Sequence, residues 1–254
     1  MTGWDRAEDM GSVRWAFRFG SWTPSRSDWL FATRSVQREE KDRIGQFMFA
    51  KDAKSAMAGR LLLRRFVCER MGIPWSEIRL ERSPRGKPYL PSTLKVSSDS
   101  DQTWSFNISH QGDYAVLAAE QGMQVGVDVM KITMPGSSSV PEFFRIMTRQ
   151  FTANEWRVIQ SAGSERRQLA AFYRHWESLL DADHHVAVAL GPADKPGSSP
   201  LPSARPPPAS FTLLSFSDLI ASASPLTEED PADWENFKLK AEAPQRQRET
   251  HTST

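Results

Sequence analysis

The chain has a single cysteine among its 254 residues, so an intramolecular disulfide is impossible and a reducing compartment is the fitting setting. That residue, Cys68, has Leu61, Leu62, Phe66 and Val67 for neighbours, which favours a buried inert thiol over a reactive one. Charge of one sign is equally scarce: 32 Lys plus Arg stand against 31 Asp plus Glu. No global field points to nucleic acid or membrane, and any anion binding must rest on local clusters. No apolar run approaches the roughly 20 residues that cross a bilayer. The opening residues, Met1-Thr2-Gly3-Trp4-Asp5, lack a basic stretch leading into an apolar one, so no secretory signal is expected. The expectation is a soluble cytosolic protein. A G-x-S-x-G elbow is also missing. Ser109 and His110, adjacent on a strand, point to opposite faces, which argues against a Ser-His hydrolase.

The length suits one large domain or two small lobes with ample core. Residues 13–23 alternate apolar and polar with many aromatics, a strand pattern. Residues 35–71 read as helical, with Ile44, Phe47 and Met48 on one face and Ala58, Leu61, Leu62, Arg65 and Phe66 on another. Gly72 and Pro74 end that stretch. The arginines at 60, 64, 65 and 70 read as a solvated face. Residues 104–108, 114–119 and 124–129 read as three short strands, the last two joined by a hairpin turn at Gln121-Gly122. Helices are expected around 140–151, 154–161 and 165–176, then a strand at 185–190. Residues 191–210, rich in Pro, Ser and Ala, read as a linker, and 211–220 as a strand and short turn returning to the fold. The boundaries expected are a flexible start (1–12), a first lobe (13–125), a second (126–190), the linker, a C-terminal segment (211–240) and a disordered tail (241–254).

Three segments carry chemistry. Arg82-Ser83-Pro84-Arg85-Gly86-Lys87-Pro88 is a Gly-Lys-Pro turn flanked by arginines; with few donors used internally, its N–H groups and three cations can grip a phosphate, although an ordinary polar turn has the same composition. Asn107-Ile108-Ser109-His110 sets amide, hydroxyl and imidazole donors beside a turn. Val125-Gly126-Val127-Asp128 delivers a carboxylate at the end of an apolar strand, where Gly126 permits close backbone approach. Mg²⁺ is held by one or two carboxylates plus substrate phosphates, so Asp128 gains value from the phosphate-gripping candidates upstream. With Met130 two residues on, this strand supplies one carboxylate only.

In order and spacing, Gly86-Lys87-Pro88, Asn107-Ile108-Ser109-His110 and Val125-Gly126-Val127-Asp128 resemble the 4′-phosphopantetheinyl transferase family, a likeness covering most of residues 13–176. The resemblance implies an α/β fold of two pseudo-symmetric lobes with the active site between them, and transfer of phosphopantetheine from coenzyme A to a serine of an acyl carrier protein or carrier domain. It implies that Arg43, the loop Arg82, Ser83, Pro84, Arg85, Gly86 and Lys87, and Asn107, Ile108, Ser109 and His110 hold the coenzyme A, with Asp128 as the Mg²⁺ ligand. It further implies a monomer.

The likeness breaks after Trp176. There the family continues with a W-x-x-K-E helix whose Glu completes the metal site and helps deprotonate the acceptor serine, and whose later Lys supports the phosphates. This chain reads Glu177-Ser178-Leu179-Leu180-Asp181-Ala182-Asp183-His184, with Leu180 at the Glu position and His184 at the second Lys position. Asp181 falls one residue late, about 100° off that helical face. Several dozen residues of the second lobe are therefore expected to be missing at Trp176/Glu177, which leaves the lobe truncated and no residue here to assign as catalytic. The alternative function is a non-catalytic relic retaining coenzyme A or carrier affinity. His184-His185 with Asp181 and Asp183 could be named a metal cluster, but adjacent strand histidines face opposite ways.

Overall fold

The computed structural model describes residues 11–84, 86–91, 104–132, 139–148, 152–174, 178–192 and 210–242. In chain order the strands are β1 (Ser12–Phe17), β2 (Glu81–Arg82), β3 (Pro88–Tyr89), β4 (Trp104–Gln111), β5 (Tyr114–Gln121), β6 (Met123–Lys131), β7 (Ser178–Asp181), β8 (His184–Pro192) and β9 (Thr212–Leu214). The helices are α1 (Arg26–Arg34), α2 (Arg38–Gly45), α3 (Ala50–Met71), α4 (Val140–Ile146), α5 (Ala153–Gln160), α6 (Glu165–Arg174), α7 (Phe216–Leu219) and α8 (Pro231–Lys238). This mixture of helices and sheets is the α/β class expected from the sequence. The expected flexible start falls almost wholly outside the described residues, as do the linker and the end of the tail.

Two compact units arise, each from separated stretches: Met1–Arg18 with Ser98–Ser215, and Phe19–Ser97 with Phe216–Thr254. In the first, one sheet runs β4-β5-β1-β9, with β9 parallel to β1 (Trp15 opposite Thr212). A second sheet runs β6-β8-β7. Ala16, Tyr114, Val116 and Ala118 of the first sheet bury against Val125, Val127, Val129 and Val186 of the second. The period-2 pattern of β6 does this directly: its valines point inward, while Gly126 and Asp128 take the other face.

The turn at Gln121-Gly122 exists, with Gly122 at φ +69°, but it does not join a hairpin. β5 pairs with β4 and β1, whereas β6 pairs with β8. The expectation fails because β5, buried and apolar from Tyr114 to Ala119, needs partners on both edges and a covered face. β1 takes the edge that a hairpin would give to β6. β6 instead meets β4 through side chains: the N–H groups of Val125, Val129 and Lys131 donate to Ser105 Oγ, Ser109 Oγ and Gln111 Oε1. The hairpin turn is Gly112-Asp113. Gly112 has φ +63°, and a Cβ there would lie 2.5 Å from His184 Nε2 and 2.8 Å from Lys131 Cβ. Gly112→Ala is expected to cost about 2 kcal/mol from the left-handed backbone and the overlap together. A lower denaturant midpoint at unchanged slope is the check.

In the same unit α4, α5 and α6 share a small core of Val140, Phe144, Trp156, Ile159, Leu169 and Phe172. A capping box at Thr152 and Glu155 starts α5. These helices match the expected ones in place, although the residues between α4 and α5 lie partly outside the described set.

The second unit is mainly helical. The stretch expected as one helix over 35–71 is two, α2 and α3, separated at 46–49, where Met48 is exposed. Lys240 pins that break, its Nζ donating to Gly45 O (2.7 Å) and Phe47 O (2.6 Å). An extra helix, α1, precedes them in a stretch where no element was expected; β1 ends at Phe17, not at residue 23. Trp29 of α1 stacks on Phe237 of α8 at 3.9 Å, and its Nε1 donates to Asp233 O. Arg60 and Arg64 are buried rather than a solvated face. Arg64 donates to the carbonyls of Trp75 and Ile78 and sits over the Trp75 ring, so backbone and ring replace water.

Candidate functional site

In the first unit, the β4 register sets Asn107, Ile108, Ser109 and His110 opposite Ala118, Leu117, Val116 and Ala115. Ser109 Oγ donates to Asp128 Oδ1 at 2.6 Å, joining two of the three motifs read from the sequence. The same carboxylate oxygen accepts the Val129 N–H at 3.0 Å. Asn107 Oδ1 accepts its neighbour's N–H, from Ile108, at 2.7 Å. Asp128 is exposed, and β6 places it opposite Ala187 of β8. It offers an anionic oxygen to solvent from a rigid strand.

A metal needs more than this. Among the described residues no group of three His, Cys, Asp or Glu side chains could hold an ion. The donor set therefore falls short of a protein-held metal, since Asp128 is one carboxylate without a second. Nor does Asp181 supply it. It lies at the end of strand β7, receives the His184 Nδ1–H at 2.9 Å and faces Arg18 at 3.8 Å. Burial pushes its carboxyl up, but the hydrogen bonds from His184 and the Asp183 N–H prevail and hold it below the ordinary carboxylate value. His184 is fully committed as well, its Nε2 accepting the Asp113 N–H at 3.2 Å. The His-Asp cluster is a buried brace for the β4–β5 turn.

In the second unit, the loop after β2 uses its donors internally, contrary to the expectation from sequence. Ser83 N–H donates to Lys87 O, Gly86 N–H to Ser83 O, and Lys87 N–H to Ser83 Oγ. Pro84 has no N–H, so the turn folds on itself and presents side chains rather than backbone amides. Arg85 lies outside the described residues. The positive charge is organised from beneath by a residue the sequence did not flag. Glu40 of α2, nearly buried, accepts from Arg82 Nε (3.0 Å) and Nη2 (2.9 Å) and lies 3.1 Å from Arg60 Nε and 3.6 Å from Arg43 Nε. Arg82 Nη1 also holds Gly86 O at 2.7 Å. Burial works against the Glu40 carboxylate, yet the Arg82 hydrogen bonds and the charges of Arg60, Arg82 and Arg43 hold it below its ordinary value. Burial lowers the Arg60 guanidinium to about 10. Three cations on one anion leave a net surplus of positive charge, which suits an anionic ligand.

The structure thus groups Ser109 with Asp128 in one unit, and Arg43 with Arg82 and its loop in the other. Glu40 was missed because its partners lie 20 and 42 residues away. The acidic pair Glu39-Glu40 at a helix start is an ordinary surface pattern.

Comparison with known proteins gives these residues a context. Residues 20–122 match the family model described as 4'-phosphopantetheinyl transferase, N-terminal. The chain is 44% identical to the L-aminoadipate-semialdehyde dehydrogenase-phosphopantetheinyl transferase of Xenopus laevis, over 94% of this chain and 96% of that one. The Homo sapiens protein of the same name is 44% identical, with 92% and 94% covered. A phosphopantetheinyl transferase of Thraustochytrium is 36% identical over 70% of this chain and 60% of its own. The Xenopus alignment runs for 292 residues, longer than this chain of 254, so that relative holds residues with no counterpart here. Identity of this extent across nearly the whole of both proteins decides the matter: the chain belongs to the 4′-phosphopantetheinyl transferases.

Proposed function

We propose that this chain binds coenzyme A through Arg43, residues 82–87, residues 107–110 and Asp128. We further propose that it passes phosphopantetheine to the serine of a carrier domain only slowly. In the transfer, the serine oxygen forms a bond to the phosphorus bearing pantetheine, the bond from that phosphorus to 3′,5′-ADP breaks, and the serine proton leaves. The observation that carries the binding half is the surplus of cations around Glu40 beside the Gly-Lys-Pro turn. Positioning and charge neutralisation supply most of the catalysis in phosphoryl transfer, so this cluster is the part of the machinery that remains well built.

Asp128 is the residue to which Mg²⁺, bound with the coenzyme's phosphates, would attach. One carboxylate does not hold the ion by itself, so the metal's contribution is weak in this chain. The reading of binding without efficient turnover is favoured by β7. Where the family resemblance calls for a Lys-Glu helix, residues 178–181 are a strand, and the one acidic side chain there, Asp181, braces a turn. The junction itself, at 176–177, lies outside the described residues. The extra length of the Xenopus relative supports a loss of residues from this chain. Calorimetric titration with coenzyme A is expected to show binding to the unmodified chain. The double variant Arg43→Glu, Lys87→Glu is expected to weaken it at least about tenfold, as reversing two phosphate-facing charges should. Absence of binding to the unmodified chain would refute the site.

A further inference from the structure

We propose that Glu40 and Arg60 are positioning residues for coenzyme A, with Glu40 acting as a buried anchor that sorts the three arginines into fixed and ligand-facing roles. The inference rests on the coenzyme A reading above and assigns work to two side chains that touch no ligand in it.

The geometry makes the division. Glu40 is 5% exposed and Arg60 7%, whereas the side chains of Arg82 and Arg43 are 29% and 38% exposed. Arg82 approaches edge-on, giving Nε to Oε1 and Nη2 to Oε2, the bidentate geometry that fixes a guanidinium plane as well as its position. With Nη1 on Gly86 O, this plane is set by both the helix below and the turn above. Arg60 comes from the inner side, from a helix whose flanking residues are buried. It faces Glu40 Oε2 at 3.1 Å, and its Nη1 has no hydrogen-bond partner among the described residues. It is nearly buried, and the anion it faces is Glu40. Arg43, one turn along α2 from Glu40, stands 3.6 Å from Oε2 through its Nε and lies over the Phe47 ring at 5.2 Å.

The reason for a carboxylate at the centre of an anion site follows from this arrangement. Three arginines placed together without an anion would repel one another and splay, each long side chain losing its fixed geometry. Glu40 neutralises one charge and fixes two guanidiniums. Arg60 in turn keeps Glu40 ionised in a buried place, so that Arg82 need not spend all its charge there. Gln37 completes the support by clamping Leu80, its amide donating to Leu80 O and accepting from Leu80 N–H just before the loop.

This role predicts a sign opposite to that of simple charge counting. Glu40→Gln makes the site more positive, and Coulomb attraction alone would tighten an anion. If Glu40 orders the arginines, the same variant binds more weakly. Calorimetric affinity for coenzyme A is expected to fall about tenfold in Glu40→Gln and less in Glu40→Asp, which keeps the charge at a shorter reach. Equal or tighter binding by folded Glu40→Gln, beside measurable binding by the unmodified chain, overturns the inference and leaves the site reading intact. No binding by the unmodified chain overturns the site reading instead. Should Glu40→Gln fail to fold, the arginine Nε signals of the unmodified chain carry the test. The Arg82 and Arg60 Nε protons are expected to be protected from solvent exchange and to stay so at saturating coenzyme A. Loss of the Arg82 protection on binding would mean that the arginine leaves Glu40 for the phosphate, and the anchor role would fall.

Discussion

Labelled phosphopantetheine is expected to move from coenzyme A to an apo acyl carrier protein about 10²–10⁴-fold more slowly with this chain than with the Xenopus relative, the range lost when a positioned general base is removed. The argument runs through unit one. Ser109 on β4 donates to Asp128 on β6, so the upstream wall of the proposed site is joined by a hydrogen bond. What a transferase adds is a second carboxylate to share the metal and to take the serine proton. The described residues offer no such group near Asp128: its cross-strand neighbour is Ala187, and Asp181 is held by His184. On the proposed reading the cations around Glu40 still bind the coenzyme, so the deficit should lie in kcat far more than in the coenzyme A KM. Turnover equal to that of the relative would defeat the reading. Restoring the relative's extra residues should recover the rate, and Asp128→Ala should then abolish it.

The second large effect concerns folding. Glu120→Ala is expected to destabilise the protein by about 3–5 kcal/mol, the cost of stranding a buried charge. Arg14 on β1 is nearly buried and pairs with Glu120 on β5, while its Nη1 also holds the carbonyls of Val13 and Ala119. Ser12 Oγ donates to the same carboxylate at 2.9 Å. Removing Glu120 leaves a guanidinium inside the sheet edge with only carbonyl dipoles for company. Differential scanning calorimetry should record a melting temperature lower by about 10 °C, at about 2–4 °C per kcal/mol for a chain of this size. The double variant Arg14→Met, Glu120→Met should recover most of the loss, because the charge disappears with its partner. A single variant that melts with the unmodified chain would show the pair to be dispensable.

Much of the fold was legible because local pattern and final environment agree. Alternating valines made β6 recognisable, and the spacing of Trp156, Ile159, Leu169 and Phe172 made α5 and α6 so. The pairing of β6 was not legible, since strand neighbours depend on which edge is free, and β1, about a hundred residues earlier, had already taken it. In the site, the Gly-Lys-Pro turn and Asp128 stand out by composition. Glu40 and Arg60 do not, because a charge looks solvent-bound until a partner from elsewhere in the chain is known to cover it. Arg64 misleads in the same way: its partners are main-chain carbonyls, which carry no sequence signature at all. The helix α1 went unread because two of its buried anchors, Trp29 and Leu30, are covered without a long apolar stretch to announce them.

The stack of Trp29 on Phe237 has a consequence for how the molecule is made. Trp29 and Phe237 stand far apart in sequence, so residue 29 leaves the ribosome long before its partner is made. Ala50 likewise waits for Ala241, and Lys41 for Asp233. The helical unit therefore cannot close until residues 233–241 have emerged, and its apolar helix faces must stay unmatched until then. A ribosome stalled before residue 231 would hold a protein with its arginine cluster already synthesised and α8 still to come. Chaperone dependence during that interval, more than the stability of the finished protein, should set how much of this chain a cell accumulates.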